Sequence, residues 1–221
     1  MKKEIQWEGY YNPYFKIALE KGVNPLEILN KEWFDGKTTA EGCVLPYISK
    51  DSVILEIACG IGRVSKYVAP ECKHLFCTDI LEEALKEAKN NLKHFGNVSF
   101  EKLNGYNLNS FKENYFDCVY SFTTFFHFDF ELVVNYFSEI KRVLKPNGIA
   151  IIEFKRWRSK IDVIELLDKI EEAGGIEQYE KELDKWRYFS KEMLEILCDY
   201  FDLQVIDNNT TRFTFKKNIL L

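Results

Sequence analysis

The chain has 221 residues, a hydrophobic fraction of 46%, 29% charged residues and 15% aromatics. That apolar content excludes a disordered chain, which would lack the surface needed to offset its ordering entropy. Thirty Lys and Arg against 35 Asp and Glu give a net charge of −5, which argues against broad binding to nucleic-acid phosphates.

No stretch reaches the ~18–20 unbroken apolar residues that cross a bilayer. Met1 to Trp7 begins basic but lacks the apolar core of a signal peptide. No membrane partner is therefore expected, and the expected compartment is cytoplasmic. The six cysteines, Cys43, Cys59, Cys72, Cys77, Cys118 and Cys198, form no CxxC pair and have no histidine at zinc-site spacing. They read as free thiols in a reducing compartment, with no metal.

The first ~50 residues read as a helical, aromatic-rich appendage broken at Pro13, Asn24-Pro25 and Asp35-Gly36. A regular alternation follows. Val53 to Ile57 is a short apolar run suited to a strand buried on both faces. A Gly60/Gly62 loop then opens a helical stretch to Val68. His74 to Asp79 reads as a second strand. Leu81 to Phe95 has one apolar face and reads as a helix. Asn97 to Lys102 and Phe116 to Ser121 read as the third and fourth strands. In Phe130 to Leu144, residues Val133, Phe137, Ile140 and Leu144 fall at helical spacing.

Pro146-Asn147-Gly148 should stop that helix, and Gly148 to Phe154 reads as the fifth strand. Residues 157–189 break the rhythm as a charged helical insert interrupted by Gly174-Gly175. Ser190 should cap a helix to Phe201, and Leu203–Ile206 and Arg212–Phe215 read as closing strands. Strands alternating with helices imply an α/β fold, a doubly wound, mostly parallel seven-stranded sheet with an antiparallel C-terminal hairpin edge. One domain over residues 1–221 is expected.

The stretch Glu56-Ile57-Ala58-Cys59-Gly60-Ile61-Gly62-Arg63 carries the most information. A small-residue loop between a buried strand and a helix lets a ligand approach the backbone. Dinucleotide sites use GxGxxG, but here the third glycine position holds Ser65. Glu56 is also unfavourable beside a pyrophosphate and favourable beside an ammonium or sulfonium.

This stretch resembles motif I of class I, Rossmann-like S-adenosylmethionine-dependent methyltransferases, with Ala58 in place of the first glycine. Further matches fall in family order: Asp79 closing the second strand, Asn104-Gly105-Tyr106 after the third, Phe116 to Ser121 as an FDxVxS-like fourth, and Arg142 to Gly148 as an RVLKPGG-like turn. The resemblance implies S-adenosyl-L-methionine as cofactor. It implies that Asp79 meets the ribose hydroxyls, that Asn104 accepts from the adenine amino group through its side-chain oxygen, and that Ile80, Gly105, Tyr106 and Ser121 also contact the cofactor. Arg63 would reach the ligand's carboxylate. Tyr11 and Tyr14 would fold over the cofactor, where ring faces favour a sulfonium.

His127 falls where the family often places a histidine near the acceptor, and it would serve as the catalytic base. Tyr10 and Phe126 would flank the acceptor. Lys155, Arg156 and Arg158 form a basic run at the end of the fifth strand, which reads as a clamp for a small anionic acceptor. The expected reaction is methyl transfer to a hydroxyl or amine of a small metabolite, such as a sugar, nucleotide-linked sugar or phosphorylated precursor, by a monomer or homodimer. The insert would act as a lid. Two other readings stay open: an NAD-type oxidoreductase, which Glu56 and Ser65 disfavour, and a cofactor-binding regulatory chain without catalysis.

Overall fold

The computed structural model describes residues 17–18, 20–32, 35–157, 159–182, 185–208 and 211–218. Tyr10, Tyr11, Tyr14 and Arg158 lie outside the described residues. A seven-stranded sheet forms the centre, in the order β3-β2-β1-β4-β5-β9-β8. Its strands are β1 (Val53–Ile57), β2 (His74–Asp79), β3 (Val98–Lys102), β4 (Phe116–Ser121), β5 (Leu144–Glu153), β8 (Leu203–Asp207) and β9 (Arg212–Lys217). The first five pair in parallel, and β9 runs antiparallel to both β5 and β8. The expected fold class and hairpin edge are both present.

The sequence period explains the layers, because successive strand residues point to opposite faces. Leu55 and Ile57 of β1, Val119 of β4 and Ala150 and Ile152 of β5 pack in one apolar cluster. That face is covered by α5 (Phe130–Val143), through Val133, Tyr136, Phe137 and Ile140, and by α8 (Lys191–Tyr200), through Leu194 and Leu197. Ile54, Cys118, Tyr120 and Ile151 point the other way. There they meet Val68 of α3 (Ser65–Val68), Leu85 and Ala88 of α4 (Glu82–Asn91), and Ala40 and Val44 from the segment after α2 (Gly36–Thr39). All six cysteines are buried and free.

Two boundary differences from the sequence expectation bear on the site's framework. The helix after β2 covers ten residues rather than the fifteen from Leu81 to Phe95. Helix α5 ends at Val143, before the Pro146-Asn147-Gly148 turn, because Leu144 is already extended and pairs with Phe116. The turn lies inside β5, and Asn147 takes the left-handed backbone (φ 65°) that a glycine would supply. Two of the resembling motifs bond directly to each other: Lys145 Nζ reaches both Asp117 oxygens at 2.9 and 2.8 Å.

The insert starts with β6 (Lys155–Arg156), continues through α6 (Lys160–Glu172) and α7 (Ile176–Tyr179), and returns in β7 (Tyr188–Phe189). Ser159 and Asp162 form a capping box at the start of α6. Strands β6 and β7 pair in parallel as a separate two-stranded sheet, which periodicity did not reveal. Among the described residues, no helix is long and apolar enough to cross a membrane.

Candidate functional site

Strand order reverses between β1 and β4, since β2 and β3 lie on one side and β5 on the other. Ligands of open α/β sheets bind outside the carboxyl ends of the strands at such a point. A cleft of ≈ 350 Å³, open solvent included, lies there. It is lined by Glu56, Ala58, Cys59, Gly60, Ile61, Arg63 and Val64 from the loop side, Phe122 and Thr123 after β4, and Leu29 from α1 (Pro25–Glu32).

Glu56 is buried at the end of β1. Its Oε2 accepts hydrogen bonds from Ser65 Oγ and, at 2.8 Å, from the Tyr120 hydroxyl. Burial pushes its carboxyl up to about 7, against the lowering pull of those two bonds and of the Arg63 charge. Arg63 is only 7% exposed and lines the same cleft, so it is not the solvent-facing arginine that a first helical turn usually presents.

The loop between them uses left-handed backbone three times: Ala58 (φ 59°), Gly60 (φ 55°) and Gly62 (φ 86°). Ala58 therefore keeps the conformation of the glycine it replaces, at a steric cost. Asp79 anchors the loop, with Oδ2 accepting from Gly60 N and Oδ1 from Leu81 N, both at 2.9 Å. Burial raises its carboxyl, opposed by backbone bonds from Leu81, Gly60 and Ile80. Ser121 is also buried, and its hydroxyl donates to Ile57 O at 2.8 Å, tying the ends of β4 and β1 together.

After β3, Asn104 Oδ1 accepts from Tyr106 N (2.8 Å) and Asn107 N (3.1 Å). This turn engages the oxygen that the sequence reading reserved for an adenine amino group, leaving the Nδ2 end for a ligand. Gly105 is left-handed (φ 81°) and packs against Ile80, where an added Cβ would lie 3.2 Å from Ile80 Cγ2. Tyr106 is 56% exposed.

The acceptor-side expectations fare differently. His127 belongs to the turn Phe125–His127, and its Nδ1 lies 3.4 Å from Lys185 O. A proton on Nδ1 would leave Nε2 as the acceptor. His127 and the buried Phe126 do not line the cleft, and both are held under the insert. Arg187 N donates to Phe126 O at 2.7 Å, and Arg187 Nη1 donates to His127 O at 2.8 Å.

Of the basic run, Lys155 and Arg156 are engaged within the fold, and Arg158 lies outside the described residues. Lys155 Nζ sits 3.9 Å from the Trp186 ring centroid and 3.5 Å from Glu165. Arg156 is buried and donates to Asn208 O at 2.9 Å. Both residues belong to β6, which pairs with β7 at the other end of the insert.

Four contributors escaped the sequence reading. Ser65 and Tyr120 hold Glu56. Gly36 lets α2 press against the loop, since an added Cβ would lie 2.2 Å from Arg63 O. Glu153, at the end of β5, accepts from Thr123 N at 2.7 Å. Its signal was present, a carboxylate ending a buried strand as Asp79 does.

Comparison with known proteins agrees with this geometry. Residues 55–152 match a family model described as a methyltransferase domain. An S-adenosylmethionine-dependent methyltransferase of Methanosarcina mazei superposes with a TM-score of 0.62 at 20% identity, covering 79% of this chain and 96% of that one. A Pyrococcus horikoshii protein gives 0.62 at 23% identity, with 82% and 88% covered. A Haloferax volcanii methyltransferase chain in complex with the Trm112 activator gives 0.65 at 16% identity, with 92% and 77% covered. A curated relative, an uncharacterized RNA methyltransferase of Halalkalibacterium halodurans, is 34% identical over 55 residues, which is 24% of this chain and 12% of that protein.

Sheet order, hairpin edge and loop define the fold as the Rossmann-like methyltransferase type. Residues 55–152 carry the match to the methyltransferase domain, and that match together with the fold implies S-adenosyl-L-methionine as the cofactor.

Proposed function

We propose that the chain moves a methyl group from S-adenosyl-L-methionine to a small-molecule acceptor. One observation carries this reading: a buried carboxylate, Glu56, and a buried guanidinium, Arg63, line one cleft beside a left-handed glycine loop. That pair matches the ammonium and carboxylate of the cofactor's amino-acid end. In this reading Asp79 receives the ribose hydroxyls, with Ile80, Gly105 and Tyr106 around the adenine.

The cofactor supplies a methyl carbon already activated by a sulfonium. The protein's work is then mostly placement, since in-line positioning at ~3–3.5 Å provides most of the acceleration. Glu56 and Arg63 fix the amino-acid end. The loop after β4, with Phe122 and Thr123, walls the side where an acceptor would approach. His127, which lies outside the cleft lining, is the proposed proton acceptor, with Nδ1 set 3.4 Å from Lys185 O.

Lys155 and Arg156 are engaged within the fold, so the acceptor is proposed only as a small molecule. Methyl transfer to RNA is a second reading, favoured by the 55-residue match to a protein named an RNA methyltransferase. The net charge of −5 weighs against it.

Calorimetry with S-adenosylhomocysteine, followed by incubation with radiolabelled S-adenosyl-L-methionine and either a metabolite extract or RNA, tests the reading. Binding with label in the metabolite fraction is expected. Label in RNA alone would replace the acceptor class, and absence of binding would overturn the assignment.

A further inference from the structure

Thr123 lines the cleft and has φ +54°. A β-branched residue in left-handed backbone is a genuine outlier, and such strain persists only where the surroundings impose it. Two bonds impose it here. The Thr123 hydroxyl donates to Phe122 O at 2.8 Å, and the Thr123 N–H donates to Glu153 Oε2 at 2.7 Å. The second is charge-assisted and crosses from the end of β5 to the loop after β4.

Nothing in this arrangement serves the sheet itself. Glu153 already has its ladder partner in Arg212 of β9. Its carboxyl is raised by burial and lowered by the Thr123 bond and by the charges of Arg63, Lys155 and Arg212. The half-buried carboxyl thus sits among three cations, one of which lines the cleft. A carboxylate in that setting is an expensive way to hold a loop, unless the loop's shape matters.

The geometry points to Glu153 as a positioning residue of the cofactor cleft: it holds Thr123 in the left-handed turn that shapes the wall on the methyl-donating side. The inference rests on the cofactor assignment above, but its mechanical half does not. The tether exists without ligand, and amide exchange at Thr123 reads it directly.

The test uses the full chain as parent, Glu153→Ala, Glu153→Gln, Thr123→Gly and the Glu153→Ala/Thr123→Gly double variant. Amide exchange by NMR on the unliganded proteins reads the tether, and calorimetry with S-adenosylhomocysteine reads the cleft. Glu153→Ala is expected to speed exchange at the Thr123 amide tenfold or more and to weaken binding fivefold or more. Glu153→Gln keeps an acceptor oxygen and should stay within threefold of the parent in both. Glycine adopts positive φ without strain, so in the Thr123→Gly background the same Glu153→Ala change should cost less than twofold in affinity.

A general packing defect would cost the same in both backgrounds, and that equality would overturn the inference. So would unchanged exchange at Thr123 in Glu153→Ala. If the parent binds no S-adenosylhomocysteine, the cofactor assignment fails while the exchange result still judges the tether.

Discussion

Replacing Gly36 by alanine tests whether the N-terminal segment shapes the cofactor loop. Asp35 caps α2 by accepting from Thr38 N at 2.8 Å, and Gly36 follows as its first residue. A Cβ there would lie 2.2 Å from Arg63 O and 2.9 Å from Arg63 C. Ordinary contact begins at 3.4 Å, so the two backbones must part by roughly 1 Å. Overpacking of this kind costs ~1–3 kcal/mol, and the helix-propensity gain of alanine over glycine returns at most ~1 kcal/mol. The net expectation is a loss of about 1–2 kcal/mol, or a Tm drop of ~2–8 °C for a chain of this size. Because the strain falls on Arg63, affinity for S-adenosylhomocysteine should weaken ~3–10-fold, corresponding to ~0.7–1.4 kcal/mol. Gly42→Ala is the control, since a Cβ there meets nothing within 4 Å. Thermal unfolding and calorimetry on both variants decide the matter. A Gly36→Ala protein that melts and binds like the parent would show that α2 does not press on the loop.

Three further outcomes follow from the loop. Ala58→Gly should stabilise the chain by ~0.5–1 kcal/mol, because relief of ~1–2 kcal/mol of left-handed strain exceeds the added unfolded-state entropy of ~0.4–1 kcal/mol; a urea midpoint below the parent's would contradict this. Asp79→Ala removes the acceptor from Gly60 N and Leu81 N, and Gly60→Val places a branched side chain at φ 55°; each should weaken S-adenosylhomocysteine at least tenfold, and parent-like calorimetric affinity in both would sink the site. Glu56 is raised from 4.5 to about 7, so the folded state holds the proton more tightly and stability falls as pH rises through that window. Between pH 5.5 and 7.5 this contribution drops by about 2 kcal/mol; Glu56→Gln should flatten that part of the profile, and identical pH dependence of the two proteins would refute the cause.

The strands were legible because burial writes directly into sequence. Val53–Ile57, His74–Asp79 and Phe116–Ser121 emerge with their expected bounds, since each is an apolar run closed by a polar or small residue. The loop residues Glu56, Gly60 and Gly62 were legible for the same reason, being departures from that apolar pattern. What stayed hidden depends on residues distant in the chain. Tyr120 looks like ordinary core until β1 pairs with β4 and brings its hydroxyl to Glu56. The basic run shows the opposite error. Lys155, Arg156 and Arg158 read in sequence as a clamp, but Trp186, some thirty residues on, supplies the ring that engages Lys155. Asn104 belongs with it, because a side-chain oxygen that suits a ligand suits its own turn equally well.

The site's charges also explain why this sheet end cannot be ordinary packing. Glu56, Asp79 and Glu153 end three different strands and are all raised by burial. Each therefore costs stability at neutral pH in the unliganded chain, since a buried carboxylate gives up solvation that its hydrogen bonds only partly restore. An apolar residue at the same places would remove that cost, as Ile57 and Ile152 do one position away. Two of the carboxylates sit at adjacent strand ends, Glu56 on the cleft wall and Asp79 through its bond to the loop, and they give the cleft an acidic side with Arg63 set into it. A ligand carrying a sulfonium and an ammonium beside one carboxylate complements that arrangement sign by sign. An uncharged or purely anionic ligand would bring no positive charge to Glu56, the carboxyl on the cleft wall.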